Sequence, residues 1–203
     1  MKIGKVPENV LKRSVIKQLH KRRDEVLLGS AVGEDCTAFR IPPEELVVMS
    51  VDPITGATKD VGRLAVNITA NDIASAGAEI IGIMLSILLP EKTTEEELRS
   101  MIQDIDAECD KLGIEVMGGH TEVTAAVNIP VITVTGVGKV KETQLVSTGG
   151  AKAGDDIVVT KWIALEGTSI IAKEKEEEPH ARRATLEEPD VAHGNRELDV
   201  AHA

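Results

Sequence analysis

Apolar residues recur along this chain at two spacings, one near 3.6 and one near 2, and the alternation between them predicts its elements. From 8 to 22, Leu11, Val15 and Leu19 fall on one face of a predicted amphipathic helix, with Lys and Arg around them. "LLGSAVGEDCTAFRI" reads as a Gly-containing loop that ends in a short strand from Cys36 to Ile41. "ELVVMSVD" is a Val-rich strand closing on Asp52, and "PITGA" after it is a turn. A helix is predicted from about Asp60 to Ala76, with Gly77 as its left-handed C-terminal cap. "EIIGIMLSILLP" follows as a buried strand bounded by Pro90.

The next helix has the best local signals. Thr94 and Glu97 form a capping-box pattern, Leu98, Met101, Ile102, Ile105, Cys109 and Leu112 supply the apolar stripe, and Gly113 stops it. "IEVM" is a strand that runs into a turn at "GGHTE", and "NIPVITVTGVGKV" is another strand. This order predicts an α/β (α+β) domain over residues 1–145, with a mixed sheet and helices on one face. Residues 146–178 read as the opening fragment of a second domain, with a strand at "IVVTKW" and a helix near "EGTSIIAKEKEEE". From 179 to 203 no apolar period is sustained and "DVAH" appears twice, so this stretch is expected to be a disordered or foreign tail. A His-rich metal tail is the weaker alternative, because the His are widely spaced and no Cys is near.

One position breaks the helical pattern. Val61, Ala65, Ile68, Asp72 and Ala76 trace a stripe on the second long helix, so a carboxylate stands where an apolar residue is expected. Asp35, after a Gly, and Asp52, at a strand end, are the other acids of interest. Each has a structural explanation: Asp35 as a turn residue, Asp52 as a strand-end Asx turn and Asp72 as a salt-bridged core acid. Converging carboxylates without bases between them are also how Mg²⁺ is held against substrate phosphates. In "MGGHTE", Gly118 and Gly119 let backbone approach an anion, while His120, Thr121 and Glu122 could donate to it or coordinate a cation; a strand-to-turn Gly pair fits equally well.

Composition narrows the classes. With a net charge of −11 over 203 residues the chain lacks the basic footprint of a nucleic-acid binder. Phe39 and Trp162 are its only aromatic residues, so no platform exists for stacked bases. Cys36 and Cys109 are too few for a disulfide framework and lack metal-site spacing. No apolar run has the length of a signal peptide or a membrane span, and a cytoplasmic protein without a membrane partner is expected.

"GEDCTAF", "SVD", "LAVNITANDIASAGAEI" and "GGHTEV", in this order and at these intervals, resemble the N-terminal half of the aminoimidazole ribonucleotide (AIR) synthase superfamily. That group includes the hydrogenase expression/formation (carbamoyl dehydratase) proteins, selenophosphate synthetase and thiamine-monophosphate kinase. The pattern "LAV..T.ND.A..GA" looks closest to the hydrogenase-maturation branch, or to related proteins of unassigned function beside it. The resemblance covers about residues 1–178. It implies an ATP-binding domain that dimerises through its sheet into a barrel, and an ATP- and Mg²⁺-dependent enzyme that activates an amide- or carboxyl-type oxygen by phosphoryl transfer. Carried over by position, Asp35, Asp52 and Asp72 match the family's metal- and phosphate-binding acids. Asn71 matches the Asn of its "ND" pair, and Gly118, Gly119 and Thr121 match its glycine-rich phosphate contact; Glu122 is taken with the metal-binding set.

His120 stands where thiamine-phosphate kinases and most hydrogenase-maturation members carry Asp, and a His there is familiar from selenophosphate synthetases. Implied partners are a second copy of the chain, a small-molecule or carbamoylated-peptide substrate and a hydrogenase-maturation protein. Maturation proteins that make a thiocyanate group end in a Cys-bearing tail, whereas no Cys follows Cys109 here. The chain is therefore expected to keep the nucleotide-domain architecture with little complete activity. A noncatalytic, dimeric nucleotide-binding fragment, a thiamine-monophosphate kinase-like enzyme and a purine-biosynthetic AIR synthase-like enzyme stand as alternatives.

Overall fold

The computed structural model describes residues 1–34, 36–55 and 61–159, together with 164, 167, 168 and 171. Asp35 and the stretch 179–203 lie outside the described residues. The chain divides into two units, and the first, Met1–Val158, holds every element named below.

Chain order is β1 (Gly4–Lys5), α1 (Glu8–Ser14), β2 (Val26–Leu28), β3 (Ala38–Phe39), β4 (Glu45–Ile54), α2 (Val61–Ser75), β5 (Glu79–Leu89), α3 (Glu95–Leu112), β6 (Glu115–Val123) and β7 (Val131–Lys141). Five strands form one sheet in the order β1-β6-β5-β7-β4, and β2 pairs with β3 in a separate ribbon. Only β5 and β6 run parallel, joined by the crossover helix α3; the other neighbours in the sheet are antiparallel. The expected mixed sheet is present, and α2 and α3 pack against it and each other.

Local chemistry explains the two long helices. Glu97 N–H donates to Thr94 Oγ1 at 3.2 Å and Thr94 N–H donates to Glu97 Oε2 at 2.7 Å, which is the anticipated capping box. Gly113 ends α3 in the left-handed region at φ 72°, and Gly77 follows α2 at φ 74°, both as expected. Leu98, Ile102 and Ile105 of α3 are fully buried, as are Ala65, Val66 and Ile73 of α2. These side chains meet Ile83, Leu85, Ile87, Ile132 and Val134 from alternate positions of the central strands, so the core lies on one side of the sheet.

The other side is only partly covered. Val47, Met49 and Val51 alternate along β4 opposite the core-facing positions, and are 49%, 62% and 61% exposed. Antiparallel register sets Met49 beside Val137 and Val51 beside Thr135. Among the described residues no helix is long and apolar enough to cross a membrane.

Several expectations need correction. The predicted helix over 8–22 is α1 followed by a 3₁₀ turn at Ile16–Gln18. The strand anticipated from Cys36 to Ile41 is only β3, and "ELVVMSVD" continues as strand through Pro53 and Ile54. Residues 157–159 are not in a strand, and Ile157 and Val158 are exposed; the rest of "IVVTKW" lies outside the described residues. Of the helix expected near 166–178, Gly167, Thr168 and Ile171 are described and helical.

Candidate functional site

Asp72 is exposed and does not interrupt the buried stripe of α2. That stripe runs through Val61, Gly62, Ala65, Val66, Thr69 and Ile73, so its last turn turns on i, i+4 steps from Ala65 and leaves Asp72 on the flank toward β4. Two strand glycines bring the helix near. A Cβ at Gly136 would lie 2.5 Å from Thr69 Cγ2, and one at Gly138 would lie 2.5 Å from Ile73 Cγ2. Both lie on β7, the neighbour of β4. With no Cβ at either position, α2 settles directly on the strand.

The approach joins two acids. Ser50 is opposite Gly136 in the β4/β7 ladder, and Ser50 and Asp52 share a face of β4 because strand side chains alternate. Ser50 Oγ lies 2.8 Å from Asp72 Oδ2 and 3.2 Å from Asp52 Oδ2. Hydrogen bonding to the Asp72 carboxyl, with some desolvation, raises the Asp52 pKa above its ordinary value. Among the described residues no Lys, Arg or His is paired with either acid, and no three His, Cys, Asp or Glu side chains gather around one point. The two carboxylates repel each other, and with the hydroxyl they offer hard oxygen atoms, a set that suits Mg²⁺ with waters and phosphate oxygens in its remaining positions.

The "MGGHTE" stretch is not a loop. It forms most of β6, and its residues divide between the two sides of the sheet. A Cβ at Gly119, whose φ is 151°, would lie 2.1 Å from the Leu85 carbonyl oxygen, so close strand packing accounts for that glycine. Thr121 is buried, on the core-facing side with Gly119. Gly118, His120 and Glu122 alternate onto the partly covered side, where His120 Nε2 and Glu122 Oε2 are 3.0 Å apart.

Strands β7 and β5 separate β4 from β6, about 14 Å at the usual interstrand spacing, and the His120–Glu122 pair faces the opposite side from Asp52. Glu122 is therefore out of reach of a point between Asp52 and Asp72 in the same chain. Asn71 is exposed beside Asp72 on α2.

A second ionic cluster was not anticipated from the sequence. Arg23 Nη2 donates to Glu25 Oε1 at 2.8 Å and to Glu79 Oε1 at 2.5 Å, and its Nη1 donates to the Gly113 carbonyl at 3.2 Å. Lys139 Nζ donates to Glu25 Oε1 at 2.7 Å. The Arg23 backbone N–H donates at 2.6 Å to Glu115 Oε2, a carboxylate only 2% exposed. Hydrogen bonds from Arg23 and Lys139 lower the Glu25 pKa to about 2. This clamp ties the segment before β2 to β5, β6 and β7.

Comparison with known proteins places the chain in a lineage. A thiamine-monophosphate kinase of Methanospirillum hungatei is 33% identical over 183 residues, covering 81% of this chain and 60% of its own length. A carbamoyl dehydratase of Cupriavidus necator is 30% identical over 148 residues, covering 70% of this chain and 42% of its own. The chain spans about half the length of the curated relatives it matches. A hydrogenase maturation protein solved in complex with ATP shares the fold at a TM-score of 0.60 and 18% identity, over 71% of this chain and 43% of that one. The family described as AIR synthase related protein, N-terminal domain, matches residues 33–140, from before β3 to within β7. With that family match covering more than half of the sequence, the chain belongs to the AIR synthase related proteins.

Proposed function

We propose that this chain is the nucleotide-binding part of an ATP-dependent enzyme that activates an amide- or carboxyl-type oxygen by phosphoryl transfer, as in hydrogenase maturation. The observation that carries the reading is the pairing of Asp52 with Asp72 through Ser50, a concentration of negative charge from two elements. Relatives of this chain include a carbamoyl dehydratase, and a fold neighbour is an ATP complex, which support an ATP-dependent activity. Asp52 and Asp72, with Asp35 as a third candidate, would hold Mg²⁺. When bound, Mg²⁺ neutralises phosphate charge and stabilises negative charge on the transferring group. Asn71, Gly118 and His120 are the residues we assign to the nucleotide; Gly119 and Thr121 support the strand that carries His120.

The reading includes a homodimer formed through the partly covered side of the sheet. Val47, Met49 and Val51 form an apolar strip there that a second copy would bury. A dimer would also allow His120 and Glu122 of one copy to serve a site completed by another. The substrate class is a small molecule or a carbamoylated peptide presented by a maturation partner. A kinase acting on thiamine monophosphate is the second reading, favoured by the 33% identity to such an enzyme.

Calorimetric titration with ATP tests the reading. Wild type is expected to bind ATP only with Mg²⁺ present, and Asp72→Asn to weaken binding at least roughly tenfold with an unchanged melting temperature, since removing one of two like charges relieves repulsion. A large fall in melting temperature without a binding defect would identify Asp72 as a structural acid instead. Phosphate release with a carbamoylated peptide, against thiamine monophosphate as competing substrate, separates the two enzymatic readings from noncatalytic binding.

A further inference from the structure

Charge is placed unevenly along this chain. Residues 1–23 carry eight Lys and Arg against the single acid Glu8, whereas the whole chain has a net charge of −11, so residues 24–203 hold a net −18. The basic stretch includes β1, α1 and the 3₁₀ turn at Ile16–Gln18, and both α1 and that turn pack on α3, a helix with seven acids and two bases. Matching of charge with α3 would account for a basic layer here, provided the cations meet the acids.

Some of them do. Arg13 pairs with Glu95, whose carboxylate also accepts from Ser14 and Arg99. Asp106 accepts the His20 backbone N–H at 2.7 Å and lies 2.7 Å from His20 Nδ1. Arg23 belongs to the clamp, and Arg22 Nη1 donates to the Lys21 carbonyl at 3.0 Å and lies 3.7 Å from Glu115 Oε1. Lys5 is opposite Glu122 in the β1/β6 ladder. Lys12, Lys17 and Lys21 differ from these: among the described residues they make no ion pair, even though Glu8 stands one turn before Lys12. Packing explains where they fall. Val10 and Ser14 form the buried face of α1, and Lys12, two residues from each, is exposed on the opposite face. Lys17 is exposed between the buried Val15 and Leu19, and Lys21 is half-buried just after the turn.

We propose that Lys12, Lys17 and Lys21 form a docking surface for an acidic segment of a partner protein. The proposal stands apart from the nucleotide reading and uses none of its residues. A single exposed ion pair contributes little, so recognition calls for several carboxylates in succession, and complementary charge of this kind acts chiefly on the rate of encounter and on choice of partner. The rest of the chain selects the class of partner. A DNA duplex carries a charge about every 1.7 Å and would run on past the three lysines over a body of net −18, which repels it. An anionic membrane would meet the same repulsion across its plane. A short acidic segment ends where the lysines end.

The test is fluorescence anisotropy of a labelled hexaglutamate peptide with the full chain, at ionic strengths of about 0.01 M and about 0.15 M, between which the Debye length falls from about 30 Å to about 8 Å. Wild type is expected to bind at the lower salt and to lose most of that binding at the higher. A triple variant, Lys12→Gln, Lys17→Gln and Lys21→Gln, should bind at least roughly tenfold more weakly with an unchanged melting temperature. A second triple variant at other exposed lysines, Lys92→Gln, Lys141→Gln and Lys152→Gln, alters net charge equally and should stay within about twofold of wild type. Absence of wild-type binding at low salt, or equal binding by the first variant, overturns the surface. Equal losses in the two variants would show that net charge acts and the three lysines have no special place. A single-stranded oligonucleotide or phosphatidylserine vesicles that bind more tightly than the peptide, and are lost in the first variant, would overturn the assignment to an acidic protein segment.

Discussion

The Arg23 clamp and the Asp52–Asp72 pair are both made of charged side chains from distant parts of the sequence, but they are built on opposite plans. In the clamp each carboxylate meets a cation or a backbone donor: Glu25 holds Arg23 and Lys139, Glu79 holds Arg23, and Glu115 accepts the Arg23 N–H. In the pair, two carboxylates meet each other across one hydroxyl. Matched charges lower the free energy of the fold. Unmatched ones raise it, and persist where something else uses the charge. Among the described residues the clamp is charge-matched and the pair is not, and the proposed function assigns the fold to the first and the ligand to the second.

Breaking the clamp should produce the largest effect. Arg23→Ala removes donors to Glu25, Glu79 and the Gly113 carbonyl at once, and is expected to cost about 3 kcal/mol in urea unfolding. Asp72→Asn, which removes a charge from the pair, should leave the same unfolding curve in place. If the two substitutions cost the same, the contrast between the regions is false.

A smaller effect is expected from Gly136→Ala. The added methyl would meet Thr69 Cγ2 at 2.5 Å and Ile73 Cγ1 at 3.2 Å, so α2 must lift, at a cost of roughly 2 kcal/mol. Lifting α2 also draws Asp72 away from Ser50. Stability and the affinity for ATP with Mg²⁺ should therefore fall together here, whereas Arg23→Ala should lower stability and leave the affinity of the folded fraction unchanged.

Acid gives the mildest separation. The Glu25 carboxyl has an ordinary value of 4.5 and is lowered to about 2 in the folded chain, so its stabilisation is complete above 4.5 and is lost as pH falls toward 2. Asp52 is raised, so protonating it relieves repulsion with Asp72 and works in the opposite direction. Wild type should lose on the order of 2 kcal/mol between pH 5 and pH 2 from the clamp, and a Glu25→Gln variant should show a flatter profile over the same window. Equal profiles would remove Glu25 from the account.

How far these regions could be read from the sequence follows from the distance between their parts. The capping box at Thr94, the stops at Gly77 and Gly113, and the strands β4, β5 and β7 rest on neighbours within a few residues, and were legible. Asp52 and Asp72 were legible as candidates because they lie in family motifs. Ser50 could have been found by the alternation of β4, which puts it on the same face as Asp52. The stripe of α2 was misjudged because Ile68 and Ile73 are both apolar, and only packing decides that Ile73 is the buried one. At β6 the paired glycines read as a break, although Gly119 is required by the Leu85 carbonyl in the next strand. The clamp was invisible: Glu25 and Lys139 are 114 residues apart, and no local pattern links them.

Among the described residues strand β4 has one partner in the sheet, β7, which is also the last strand in chain order: Glu45 pairs with Lys141 and Ile54 with Ile132. During synthesis β4 leaves the ribosome long before β7 exists. Until β7 arrives, Leu46, Val47, Met49 and Val51 belong to an unpaired apolar strand, and Asp52 has no fixed place. Closing so long a loop is slow compared with forming α3 or the β5–α3–β6 unit. A chain halted before residue 131 would therefore leave β4 unpaired, with its apolar strip open to other copies.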